Sequence, residues 1–165
     1  MQRRLAFLSA LAIVALGLGT SPALAGGGNS GSAKACQKGG WQQLQTGLGV
    51  TFASQSQCVS YAAQGGMLFA PTLTITQTTV CVQSSATGNF VYEWSEQGTG
   101  FTPNSSLTIT TDGDSLTLPT PFDSTGAKTV HFIPDSAGET LSVTWTDGNG
   151  VHASATLGPT EACSP

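Results

Sequence analysis

The sequence predicts a mainly β protein, an antiparallel β-sandwich preceded by a small disulfide-stapled helical module. Three observations carry this. From residue 72 onward, apolar residues alternate with Thr, Ser or Gln at a period of two, the spacing of half-buried strands. Turn-forming clusters cut that stretch into seven or eight short runs within 94 residues, the pattern of a sandwich. Between residues 34 and 66, Cys58, Tyr61 and Ala62 fall at helical spacing, and Cys36 stands ready to staple that helix through Cys58.

The first 25 of the 165 residues read as a secretory signal. Met1-Gln2-Arg3-Arg4 is a short basic start. Leu5 to Leu18 is a 14-residue, mostly apolar run, and Ala23-Leu24-Ala25 sets small residues before a cut after Ala25. A membrane-spanning helix needs about 20 apolar residues. The run is too short and no second one follows, so the mature chain is expected to be secreted, extracellular and without a transmembrane segment. Residues 26–33, Gly-Gly-Gly-Asn-Ser-Gly-Ser-Ala, are expected to form a flexible lead.

Residues 34–66 hold no acid and carry Lys34 and Lys38. Ser54-Gln55-Ser56-Gln57 reads as a capping box, in which the Ser hydroxyl takes the Gln57 amide and the Gln57 side chain reaches back. Cys58, Tyr61 and Ala62 then share one helical face, and Gly65-Gly66 ends the helix. About three turns cannot stand alone, so Trp41, Leu44, Leu48 and Phe52 are expected to pack on it, with a Cys36–Cys58 bond as staple.

Residues 67–71, Met-Leu-Phe-Ala-Pro, read as a linker to residues 72–165. The inward sets there are Leu73/Ile75, Val80/Val82, Phe90/Tyr92/Trp94, Leu107/Ile109, Leu116/Leu118, Val130/Phe132, Leu141/Val143/Trp145 and Val151/Ala153/Ala155/Leu157. All nine acids fall in this unit against Lys128 alone, and this charge asymmetry argues for two units. The mature chain has three lysines and nine acids, net −6, with 22 Thr and 16 Ser filling the place of charge. So acidic and charge-poor a chain excludes nucleic-acid binding by phosphate neutralisation and excludes a coiled coil.

Two resemblances add to this. Cys36-Gln37-Lys38-Gly39-Gly40-Trp41, followed by Phe52 to Tyr61 with Gln55 and Cys58-Val59-Ser60-Tyr61, resembles a small two-cysteine module of secreted actinobacterial-type proteins. That module implies no activity. Residues 72–165 resemble an immunoglobulin-like domain: Cys81 precedes Trp94 by 13 residues, as a strand-B Cys precedes a strand-C Trp, and Asp135-Ser136-Ala137 resembles the approach to strand F. Val143 stands where the second Cys of such a domain falls, and no tyrosine corner is visible. The resemblance implies architecture, not antigen recognition.

Four cysteines in a secreted chain allow three pairings. Cys36–Cys58 with Cys81–Cys163 is favoured because each bond then closes one unit, the second tying the C-terminal tail to the outside of a sheet. No Cys-x-x-Cys or Cys/His spacing suggests a metal, and no cofactor is expected. His131 and His152 fall on the polar phase of their strands. Glu93 and Glu96, three apart on one strand, point to opposite faces and so form no shared cleft. Asp112-Gly113-Asp114 and Asp147-Gly148-Asn149-Gly150 offer oxygens to Ca²⁺ but read as hairpin turns. Trp94 and Trp145 share phase with apolar neighbours and read as core. With no catalytic constellation in view, the expected function is that of a non-enzymatic binding or structural protein of the cell surface or extracellular space. The alternatives are a secreted protease inhibitor and a small extracellular hydrolase. A protein or cell-wall polysaccharide partner is expected at Lys38, Gly39, Gly40, Trp41 and Tyr61, the basic patch of an acidic protein beside an aromatic ring.

Overall fold

The computed structural model describes residues 29–164, so the expected signal segment lies outside the described residues. The described chain is mainly β, with antiparallel sheets and two short α-helices. α1 (Asn29–Ala35) takes up most of the stretch expected to be a flexible lead over 26–33. Gly and Ser there favour coil, but Ala33 and Ala35 pack against a core of Cys36, Leu44, Phe52, Cys58, Ala62 and Leu68. Tertiary packing of this kind overrides so weak a local preference.

α2 (Gln55–Ala63) starts and stops where the sequence places it. Ser54 Oγ accepts from the Gln57 amide at 3.2 Å, while the Gln57 side chain accepts from the Ala53 amide at 2.8 Å, one residue further back than a capping box requires. At its far end the Gly66 amide donates to the Tyr61 carbonyl and the Gly65 amide to that of Ala62, a Schellman closure. The Cys36–Cys58 disulfide ties the residue after α1 to the middle of α2. Leu48, expected in this core, is 75% exposed. The loop after β1 (Gln45–Thr46) folds back on itself, with the Gly49 amide donating to Thr46 at 2.9 Å, and this tight turn points Leu48 outward.

The expected linker, residues 67–71, is a weld. β2 (Leu68–Phe69) pairs antiparallel with β1. Successive strand residues face opposite ways, so Leu68 enters the core of the helical module and Phe69 enters the core beyond it.

Seven strands follow: β3 (Thr72–Gln83), β4 (Phe90–Thr99), β5 (Leu107–Thr111), β6 (Asp114–Leu118), β7 (Lys128–Phe132), β8 (Leu141–Asp147) and β9 (His152–Leu157). They form two antiparallel sheets, ordered β3-β4-β7 and β6-β5-β8-β9. Leu107, Ile109, Val130, Phe132, Leu141, Val143 and Trp145 are buried, as alternation requires. Phe101 stacks on Phe122 with centroids 4.5 Å apart, and Trp145 meets the Phe122 ring edge-on at 6.0 Å. Trp145, on β8, also reaches the facing sheet. It lies over Gly98 of β4, where a Cβ would stand 2.5 Å from its ring, and its Nε1 donates to the Glu96 carboxylate.

The ladder between β3 and β4 is interrupted. Between the pairs Gln77–Trp94 and Cys81–Tyr92, β3 advances four residues while β4 advances two. Two extra residues are an even number, so the inward phase of Leu73 and Ile75 continues through Gln77 to Cys81. Val80, expected inward, is 50% exposed, while Val91 is fully buried and its neighbours Phe90 and Tyr92, expected inward, are half-buried. Beyond β9 the tail returns to β4, where Ala162 bridges Val91 and Cys163 bonds Cys81. The two disulfides are those favoured from the sequence.

Candidate functional site

The five residues expected to bind a partner surround one small core. Lys38 and Gly39, at φ of 52° and 85°, form the turn that leads from α1 into a 3₁₀ turn at Gly40–Gln43. A Cβ on Gly40 would stand 2.0 Å from the Ala35 carbonyl oxygen. The close backbone approach that Gly39-Gly40 allow is therefore taken up by the module's own helix. Trp41 and Tyr61, both half-buried, pack on the Cys36–Cys58 core, and the Tyr61 ring lies 5.6 Å from that of Phe52. Lys38 is the exposed member of the group. Trp41→Ala is accordingly expected to lower stability by about 2 kcal/mol, roughly half the loss at a fully buried aromatic. Urea denaturation of the oxidised protein measures it; an unchanged midpoint would mean that Trp41 supports nothing.

A larger concavity lies at the seam between the helical module and the sheets. Gln45, 8% exposed, uses both ends of its amide on the backbone of one residue of β9. Its Oε1 accepts from the His152 amide at 3.0 Å and its Nε2 donates to the His152 carbonyl at 2.7 Å. A single side chain thus satisfies the outer edge of β9 as a neighbouring strand would. Gly49 lies so close to Gly150 that a Cβ on it would overlap the Gly150 carbonyl. These contacts frame a groove of about 530 Å³, with Gln42, Gln43 and Gln45 on one wall and Thr72, His152 and Ser154 on the other. Pro71, Leu73 and Ala153 supply its apolar surface, and among the described residues no Asp, Glu, Lys or Arg lines it. Sequence reasoning missed this groove. Gln45 and His152 are 107 residues apart, and nothing local to either signals the other.

Titratable groups gather elsewhere. On the outer face of the three-stranded sheet, His131 Nδ1 lies 3.3 Å from Glu93 Oε2, and Ser95 is the cross-strand neighbour of His131. Ser95, His131 and Glu93 therefore share one sheet face, where backbone N–H groups lie in the sheet plane and serve the ladder. Glu96 is turned to the other face, 3% exposed. Burial raises its pKa to about 7, and the hydrogen bond from Trp145 only partly opposes the rise. Asp147, also buried, accepts the amides of Thr102 at 2.9 Å, Asn149 at 2.8 Å and Val151 at 3.0 Å, so it organises the β8–β9 turn. Asp112 and Gly113 both have positive φ and form the two-residue β5–β6 turn. At Asp123, burial pulls the pKa up, but the amides of Ala127, Thr125 and Gly126 and the Thr125 hydroxyl outweigh it and hold the carboxyl below its usual range.

No family model, no curated protein and no solved structure matches the chain.

Proposed function

We propose that this is a secreted, non-enzymatic binding protein of the extracellular space or cell surface, and that it takes a neutral polysaccharide in the groove at the seam. The observation that carries the reading is the groove's chemistry: amides of Gln42, Gln43 and Gln45, hydroxyls of Thr72 and Ser154, an imidazole and, among the described residues, no charged side chain. Binding sites favour domain interfaces and combine apolar surface with a few placed polar groups, in volumes of about 300–1,000 Å³. Carboxamides and hydroxyls both donate and accept, which suits a ligand made of hydroxyls, whereas an anionic ligand calls for cations that the groove lacks. The weld at β2 and the Gln45 clamp hold the two walls in a fixed relation, which lowers the ordering cost of binding.

The architecture we propose is immunoglobulin-like. Lettering β3 to β9 as A to G, the sheets run A-B-E and D-C-F-G. The constant-type arrangement is ABED with CFG, so only the fourth strand has changed sheets. On this lettering Cys81 falls on strand A, Trp94 on strand B and Val143 on strand F. The Cys-to-Trp spacing is then a coincidence of sequence, and Trp145 supplies the central tryptophan. Two disulfides, and the lack among the described residues of any helix long and apolar enough to cross a membrane, support an extracellular setting.

The test uses protein recovered from culture medium. Mass spectrometry should show a chain starting at Gly26. Sedimentation with insoluble cell-wall polysaccharide should show saturable binding that falls at least tenfold in Gln42→Ala with Gln43→Ala, both exposed positions, and is unchanged in Lys38→Ala. Equal binding by the double variant would remove the groove from consideration, and loss of binding in Lys38→Ala would return the site to the module.

A further inference from the structure

The outer face of the sheet β6-β5-β8-β9 is a lattice of hydroxyls. Its inner face carries Leu107, Ile109, Val143 and Trp145, so the residues between them point outward. Ser or Thr holds every outward position of the four strands except that of His152. None of the nine acids falls there, although exposed positions are where acids ordinarily sit.

Register lines these residues up. Thr117, Thr108, Thr146 and His152 are cross-strand neighbours in one row, and Ser115, Thr110, Thr144 and Ser154 in the next. Adjacent strands stand about 4.8 Å apart, so each row runs about 14 Å across the sheet, and the two rows lie about 7 Å apart. Hydroxyls bond across strands at 2.9 Å between Thr108 and Thr117, and at 2.8 Å between Thr110 and Ser115 and between Thr144 and Ser154. Each such pair uses a single donor and keeps the other donor and most of its lone pairs for a ligand. Pairing and the stiff χ1 of Thr hold these groups in place before anything binds.

Both rows end at the groove. His152 and Ser154 belong to the rows and also line the groove at the seam. His152 Nδ1 lies 3.1 Å from the Gly150 carbonyl oxygen, which can only accept, so the ring donates there and leaves Nε2 as its open atom. The groove therefore runs into the sheet face at β9, and the chemistry stays hydroxyl-rich, without carboxylate or ammonium. An ionic partner finds no opposite charge there. Thr offers a hydroxyl beside a methyl, which matches the ring hydroxyls and C–H faces of a sugar. The sheet twists from strand to strand, so a single flexible chain can follow the rows, whereas a rigid crystalline surface meets only part of them.

On the reading of the groove as a polysaccharide site, we propose that the neutral chain held there continues across β9, β8 and β5 to β6, lying between the two rows of hydroxyls. The protein then binds an extended run of one glycan chain, and affinity grows with the length of chain that reaches the sheet.

The probe is the neutral cell-wall polysaccharide, partially hydrolysed and separated by length, titrated into the mature protein. Fragments too short to leave the groove should give saturable amide NMR shifts at residues 42–45, 71–73 and 152–154 alone. Fragments longer by several sugar rings should bind at least tenfold more tightly and add shifts at residues 108–110, 115–117 and 144–146. Thr108→Val with Thr110→Val takes one hydroxyl from each row on β5, two strands from the groove, and keeps shape and strand preference. This variant should lose most of the gain for long fragments and bind short ones as the native protein does. Equal affinity for short and long fragments, no long-fragment shifts on β5 and β8, or an undiminished gain in the variant would each overturn the proposal and leave the groove standing. Failure of every fragment to shift residues 42–45 would remove the groove and the extended site with it. A concentration-dependent dimer of the free protein, lost in the same variant on sedimentation, would assign the face to a second copy of the chain instead.

Discussion

Glu96→Gln is expected to stabilise the protein at pH 8 by about 3 kcal/mol and to flatten its stability between pH 4.5 and 7. In the folded chain Glu96 titrates near 7 because it is buried between the sheets; unfolded, it returns to about 4.5. Between those values the folded state holds a proton that the unfolded state has released, so stability falls as pH rises through the window. A difference of about 2.5 pH units corresponds to about 3 kcal/mol. The stabilising form is the neutral acid, fully present below pH 4.5 and lost as pH passes 7. Glutamine keeps the oxygen that accepts from Trp145 Nε1 and has no charge to bury. Asp123 acts in the opposite sense: its lowered pKa gives stability present above its unfolded value and lost as pH falls through its folded one. The native protein is thus expected to be most stable in mildly acid solution. Urea titrations of both proteins at pH 4.5, 6 and 8 check this, and a native protein as stable at pH 8 as at pH 4.5 would mean that Glu96 is ionised without cost.

Replacing Cys81 and Cys163 by serine is expected to cost about 4.5 kcal/mol. The two cysteines are 82 residues apart, and closing a loop of that length removes about that much chain entropy from the unfolded state, against about 3.4 kcal/mol for the shorter Cys36–Cys58 loop. The native state also loses a tether. Ala162 bridges the fully buried Val91, and the Glu161 carbonyl accepts from Tyr92 at 3.4 Å. Without the bond, hydrogen exchange should quicken first at residues 90–92 and 160–163. A loss below 1 kcal/mol with exchange unchanged there would show that the tail docks by its own contacts.

Several features could be read directly because they depend on local physics. The ends of α2 follow from Ser54 and Gly65-Gly66, whose side chain and backbone act within a few residues. The inward faces of β5, β7 and β8 follow from period-two alternation, because a strand buried on one face must place Leu107, Ile109, Val130, Val143 and Trp145 on the same side. Alternation also put Glu96 in phase with Trp94, and a carboxylate on an inward phase was the available signal for the buried acid.

What the sequence left open was decided by contacts between distant residues. Val80 faces outward because the two extra residues after Gln77 keep the phase of Ile75, and Val91 is buried where the returning tail bridges it, and neither is visible until the partner segments are known. Residues 29–35 became helical by packing on a disulfide core, against local preference, and residues 68–69 became a strand by pairing with residues 45–46. The groove at the seam and the rows of hydroxyls needed the fold most. Gln45 meets His152, and Thr108 stands beside Thr146, only because the sheets bring remote segments within a few ångströms. Composition and alternation decided which faces are buried and how the cysteines pair; tertiary structure decided which polar residues meet, because a hydrogen bond or a cavity depends on distance in space and not on spacing along the chain.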